Sequence, residues 1–102
     1  MTLTFEIRKS LNRPSKKYRI TNNYNNDVIY IGDSAYQDFT QHGDESRKVN
    51  YLRRHQPKQD WTRSGIYTAG FWARWLLWNQ PTLEDSKFDI EKKFKIAVKL
   101  VK

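Results

Sequence analysis

The first third of the chain alternates polar and apolar residues, which is the pattern of half-buried β-strands. In residues 2–8, TLTFEIR, the apolar side chains Leu3, Phe5 and Ile7 occupy every second position. Segments 17–21 and 27–31 continue the pattern on either side of NNYNND, whose asparagines suit a turn. We therefore predict a β-rich region over residues 1–32, with a hairpin that ends at Gly32.

A helix is predicted over residues 44–56. Asp44 suits its N-cap, and Pro57 would stop it. Val49 and Leu52 form its only apolar stripe, so the rest of the helix should be wet and cationic. A separate face carries a row of polar side chains at spacings of three and four residues: Arg47, Asn50 and Arg54.

The most apolar segment is AGFWARWLLWNQPT at residues 69–82. Thr68 is expected to cap a helix over residues 69–78 whose apolar side chains surround most of its circumference, the pattern of a buried helix. We predict that Trp72 and Trp75 are core residues, and that Leu77 and Trp78 near the helix end protrude. A partly exposed surface for a partner is the alternative.

The remaining residues predict a third helix and a last strand. Thr82 and Asp85 have the spacing of a capping box, and residues 95–102 return to strand alternation. The expected fold class is α+β, with one domain over residues 1–102 and a helical region over residues 44–94. A small antiparallel sheet, made of the N-terminal hairpin and the C-terminal strand, should pack on about three helices. The apolar positions that support these elements are Leu83, Ile90, Phe94, Ile96, Val98 and Leu100.

Positive charge is the strongest functional signal. The net charge is +8, and residues 8–19 and 47–63 each hold six of the 19 lysines and arginines. Such clustering favours a polyanion or an acidic protein surface, although a merely solvated face is the alternative for each residue. The predicted partner-binding residues are Arg47, Asn50, Arg53, Arg54, Lys58, Arg63, Lys16 and Lys17.

The sequence contains no catalytic signature and no cysteine. Its carboxylates and histidines match no known metal-ligand spacing, so we predict no enzymatic activity, no metal site and no cofactor. The N-terminal segment lacks the apolar region of a secretory signal, and no apolar run approaches the roughly 20 residues of a membrane span. We therefore expect a soluble protein. The residues considered for a metal or hydrolytic site are Asp33, Asp38, His42, Asp44, Glu45 and His55.

Two blocks, GDSAYQDFTQHGDESRKVNYLRRHQPKQDW and TAGFWARWLLWNQPT, resemble a small uncharacterised domain encoded by large nucleocytoplasmic DNA viruses, including those of algae. The resemblance runs from about Tyr30 to Phe94. It departs at Gln80, where a lysine is more usual, and the first 29 residues carry little of it. The positions that match are Tyr36, Asp38, Thr40, His42, Asp44, Arg47, Lys48, Tyr51, Arg54, His55, Trp61, residues 68–78, Asn79, Pro81 and Thr82.

The resemblance implies a viral protein of the virion and the infected host cell, and it supplies no catalytic residues. One implied role is a minor capsid protein that binds other capsid proteins through its basic surfaces. The other is a genome-packing protein that binds DNA or RNA phosphates. We favour the capsid role narrowly, because a compact aromatic domain suits small lattice contacts and no nucleic-acid-binding motif is evident.

Overall fold

The computed structural model describes residues 2–101, so Met1 and Lys102 of the predicted end strands lie outside it. Short 3₁₀ turns occupy Gln56–Lys58 and Arg63–Gly65, and a π-helical turn over Ala73–Leu77 directly follows the α-helix Ala69–Trp72. In chain order, the strands and α-helices of the described range are β1 (Thr4–Lys9), β2 (Lys16–Asn22), β3 (Ile29–Asp33), α1 (Phe39–His42), α2 (Glu45–His55), α3 (Ala69–Trp72), α4 (Leu83–Phe94) and β4 (Ala97–Leu100).

The strands form one mixed sheet in the order β3-β2-β1-β4. β1 and β2 are antiparallel with Ile7 opposite Ile20, and β2 and β3 are antiparallel with Ile20 opposite Ile29. β4 lies parallel to β1. The α+β class and the addition of the C-terminal strand to the N-terminal sheet are confirmed. The prediction of a wholly antiparallel sheet is wrong. α4 carries the chain back along the sheet, and a residue in the left-handed conformation, Lys95, then turns it into β4.

The core lies between the sheet and the helices. Phe5 and Ile20 from the sheet are fully buried, and so are Trp72 and Ile90 from the helices. The ring centroids of Phe5 and Trp72 are 4.8 Å apart. The apolar alternation of the strands and the apolar face of α4 are therefore confirmed by burial. The remaining members of this core are Ile7, Ile29, Ile31, Ile66, Phe71, Leu76, Leu77, Phe94, Ile96 and Val98.

The helix predicted after Asp44 is confirmed, since the Asp44 carboxylate accepts hydrogen bonds from the first turn of α2. Its predicted apolar stripe is wrong at Val49, and the other member, Leu52, is partly buried. Val49 is 50% exposed, whereas Tyr51 is buried. Tyr51 stacks on Trp78 with ring centroids 4.3 Å apart and planes at 5°. A planar aromatic contact thus fixes the buried face of α2, in place of the β-branched and aliphatic residues that periodicity favours.

The aromatic segment is largely core, as predicted. The Trp72 indole N–H donates to the Ile66 carbonyl at 2.8 Å. Trp75 is only partly buried, at the edge of the core. Leu77 was predicted to protrude but is 1% exposed, because the wider π turn rotates it away from its α-helical angle. Gly70 lies against the Gln59 side chain.

No helix within residues 2–101 is long and apolar enough to cross a lipid bilayer. The longest, α4, has 12 residues, whereas roughly 20 apolar residues are needed to span the hydrocarbon region.

Replacing Trp72 by alanine is expected to lower the free energy of unfolding by about 3–5 kcal/mol, because the change leaves a cavity in the centre of the core. Phe88→Ala is the matched control. The Phe88 ring is 59% exposed, so its removal should change stability by no more than about 0.5 kcal/mol. Urea unfolding measures both. A Trp72 variant as stable as the wild type would contradict the core assignment.

Candidate anion-binding groove

The polar row of α2 lines a surface cavity of about 470 Å³. We call this cavity the arginine groove. The predicted partner-binding residues of α2 form one side of this groove. The loop after β3 and the residue that follows the π turn form the rest. Its lining residues are Tyr36, Gln37, Arg47, Asn50, Arg53, Arg54 and Trp78.

The opposite side of α2 holds the helix in place. The Lys48 ammonium donates to the Asn79 carbonyl at 2.6 Å and lies 4.9 Å from the centroid of the Phe39 ring. Arg47 and Asn50, three residues apart, are exposed. Lys48 therefore secures the helix to the segment after the π turn, while the neighbouring arginines remain accessible from solvent.

The charge of the arginine groove is not neutralised within the described part of the chain. None of its lining residues there is acidic. The salt bridges found in residues 2–101 join Arg8 and Lys99 to Glu6, Lys17 to Asp38, and Lys87 to Glu91. Arg47, Arg53 and Arg54 take part in none of them, so their guanidinium groups face solvent with free donors. Such a site attracts anions.

The aromatic wall of the groove is rigidly supported. Trp78 stacks on Tyr51, and Tyr51 in turn stacks with His55 at a centroid distance of 4.2 Å. The Trp78 N–H closes the π turn on the Ala73 carbonyl, and the Arg74 guanidinium donates to the Trp78 carbonyl at 2.9 Å. Burial raises the pKa of Tyr51 to about 12, so its phenol is neutral in the stack.

A buried ion pair supports the loop wall of the groove. The Lys17 ammonium lies 2.7 Å from the Asp38 carboxylate and donates to the Gln41 side-chain oxygen at 2.5 Å. Asp38 also accepts the Thr40 N–H as the N-cap of α1, and Gln41 completes a capping box with the Asp38 backbone. Lys17 was predicted to bind a partner, but its charge is engaged inside the protein. It fixes the start of α1, directly after Tyr36 and Gln37.

Three further predicted partner residues lie outside the groove lining. Lys16 and Lys58 are exposed, Lys16 at the start of β2 opposite Asp33. The Arg63 guanidinium donates to the Phe94 carbonyl at the C-terminal end of α4, where a cation complements the helix dipole. The predicted partner-binding residues thus fall into three groups: the groove residues of α2, the exposed lysines, and the two cations with partners inside the protein, Lys17 and Arg63.

Tyr36 and Gln37 are groove residues that sequence reasoning missed. They lie in an irregular loop, where no periodicity reports which way a side chain faces. Trp78 was singled out as a residue near the helix end, and it is partly exposed as expected. Trp78 reaches α2 by stacking on Tyr51, which lies 27 positions earlier in the chain. A local sequence pattern does not report a contact over that separation.

The carboxylates and histidines weighed for a metal site have local roles. His42 accepts the Asp44 N–H at 2.9 Å through Nδ1, and Asp33 accepts the Ala35 N–H at 2.9 Å. Within residues 2–101, no group of three or more His, Asp or Glu residues is placed to hold a metal ion. The absence of enzymatic activity and of a metal stays a prediction.

Residues 5–55, half of the 102-residue chain, match the model of a family described as a family of unknown function, DUF5754. The chain belongs to DUF5754. The matched segment runs from Phe5 in β1 to the end of α2, so it contains the loop and the arginines of the groove, whereas Trp78 lies beyond it. The chain matches no curated protein and no solved structure.

For this DUF5754 domain, Lys17→Met is expected to lower the free energy of unfolding by about 1–3 kcal/mol, because it leaves the buried Asp38 carboxylate without its cation. Lys16→Met is the matched control, since Lys16 is exposed and should change stability by no more than about 0.5 kcal/mol. Thermal and chemical unfolding measure both variants. Equal stabilities would show that the Lys17 pair is not structural.

Stability of the DUF5754 domain should fall as His55 becomes protonated. Burial, and then the charges of Arg54 and Lys58, lower the pKa of His55 below its usual 6.5. The folded state therefore disfavours the protonated ring. The stability that the neutral ring contributes is fully present above pH 6.5, and it is lost as the pH falls through the lowered pKa. Asp60, whose pKa is also lowered, titrates below 3.8 and does not interfere.

Between about pH 8 and pH 5, the wild type should lose more stability than His55→Gln. The change in unfolding free energy with pH measures the effect in both proteins, so a constant difference from the lost stacking contact cancels. Identical pH slopes would contradict the lowered pKa.

Proposed function

We propose that this protein is a non-enzymatic nucleic-acid-binding protein that takes backbone phosphates into the arginine groove. One observation carries the proposal. Arg47, Arg53 and Arg54 line one concave surface without a carboxylate among the described lining residues. A surface patch that only kept the protein soluble would not need its cations gathered in a cavity with aromatic walls.

The lining chemistry suits phosphate. Guanidinium groups present planar sets of N–H donors that match phosphate oxygens, often with two hydrogen bonds at once. The Asn50 amide adds donors between Arg47 and Arg54 on the same helix. The net charge of +8 would further raise the rate at which a polyanion arrives. The expected binding is independent of sequence and sensitive to salt.

The same lining suits binding better than catalysis. Among the residues known to line the groove there is no carboxylate, histidine, cysteine or serine. Those side chains most often supply the base or the nucleophile of an enzyme. In the virion implied by the sequence resemblance, the proposed role is packing or organising the genome.

A capsid protein is the second candidate partner, and Val49 favours it. This side chain is 50% exposed and lies beside Asn50 in a shallow depression that Glu45 and Ser46 also line. An apolar side chain next to arginines fits a protein interface, whereas phosphate would leave Val49 uncovered. Val49→Ser, which removes the apolar side chain without adding charge, should then block incorporation into particles while leaving DNA binding unchanged.

The double variant Arg47→Glu, Arg54→Glu should remain folded and bind nucleic acid weakly. Both side chains are exposed, so stability should change little. Fluorescence anisotropy at several salt concentrations measures the effect. Two lost phosphate contacts should flatten the log–log salt dependence by about 1.8 for duplex DNA and about 1.4 for a single strand.

The matched control is Lys92→Glu, Lys93→Glu in the last turn of α4, where both side chains are exposed. It changes the net charge by the same amount away from the groove. Circular dichroism should check that it remains folded, because Lys93 lies 5.2 Å from the centroid of the Trp75 ring and cations stabilise this end of a helix. Equal losses in the two double variants would show a nonspecific charge effect and refute the groove as the binding site. Unchanged binding in the arginine variant would refute it too, and a capsid protein would then be the better candidate.

A further inference from the structure

One aromatic side chain of the arginine groove has a free ring. Tyr36 is 72% exposed. Within residues 2–101, its ring makes no aromatic or cation–π contact, whereas the other groove aromatic, Trp78, packs against His42 and Tyr51. The ring is therefore available to a ligand, next to three guanidinium groups.

The backbone under this ring is held on both sides. The Tyr36 N–H donates to the Asp33 carbonyl at 3.1 Å. Two residues later, Asp38 begins α1 and binds Lys17. A ring on a fixed backbone loses little conformational entropy when a ligand stacks on it, which favours binding. Only the side-chain rotamer of Tyr36 is then left for the ligand to order.

Resting on the proposed function, we infer that the arginine groove selects single-stranded nucleic acid, with one base stacked on the Tyr36 ring and neighbouring phosphates on Arg47 and Arg54. A free base presents its aromatic face to a protein, whereas bases in a duplex are already stacked on each other. Proteins that bind single strands without sequence preference combine a cationic groove with stacking rings in this way.

Size and polar groups agree with this ligand. The groove volume of about 470 Å³ lies within the range of pockets that hold small molecules, so an unpaired base can enter. The amides of Gln37 and Asn50 each offer both donors and acceptors to a base edge. Because an amide suits several base edges, the expected preference for base identity is weak.

The test compares Tyr36→Ala and Tyr36→Phe in the full chain. The probes are an oligothymidylate of about 16 nucleotides, a duplex of equal length, and an abasic strand with the same phosphates. Tyr36→Ala should weaken binding of the oligothymidylate about 5- to 150-fold, the usual loss for one stacked base. Tyr36→Phe should keep the affinity. Neither variant should change binding of the duplex or the abasic strand.

Tyr24→Ala is the matched control, because Tyr24 is 77% exposed and does not line the groove. If Tyr36→Ala binds the oligothymidylate like the wild type, or weakens all three probes equally, the stacking inference is wrong. The nucleic-acid function is judged separately, since it fails only if the arginine variant keeps its binding or loses no more than the α4 control.

Discussion

The stack between Tyr51 and Trp78 is the contact on which the rest of the site depends. It joins α2 to the residue after the π turn, with ring planes at 5°. Once Tyr51 faces inward, the 100° step of the helix determines where every other side chain of α2 lies. Val49 is left in solvent and the arginines come to the groove. The same contact therefore buries an aromatic ring and orients the cations.

Much of the fold could be predicted because local patterns and long-range packing agree. Alternation placed β1 to β4, and Asp44, Thr68 and Thr82 all cap helices where predicted. The direction of β4 could not be predicted, since it depends on the path of the chain between strands. α1 was also missed, because four residues carry no periodicity. The one sequence signal for α1 is the capping-box spacing of Asp38 and Gln41, which form that capping box in the structure.

The site could be predicted only as far as one helix contains it. Arg47, Asn50 and Arg54 lie three and four residues apart, so their common face follows from helix geometry. Tyr36 and Trp78 join them through tertiary structure. Lys17 shows the converse limit. In the sequence it is one more positive charge in a basic segment, but in the fold its charge is neutralised by a carboxylate 21 positions away.

The π turn at Ala73–Leu77 sets the helical phase of Leu76 and Leu77 in the core and of Trp78 in the groove wall. A π turn contains one residue more than the α turn it replaces. A deletion within it would restore α-helical phase and leave Trp72, which precedes the turn, in its place. Trp78 would rotate by about 100° and lose its contact with Tyr51. Because the core residues Leu76 and Leu77 lie inside the turn, an insertion or deletion of one residue at this point would move part of the core together with the groove wall, so the two are coupled through one turn of backbone.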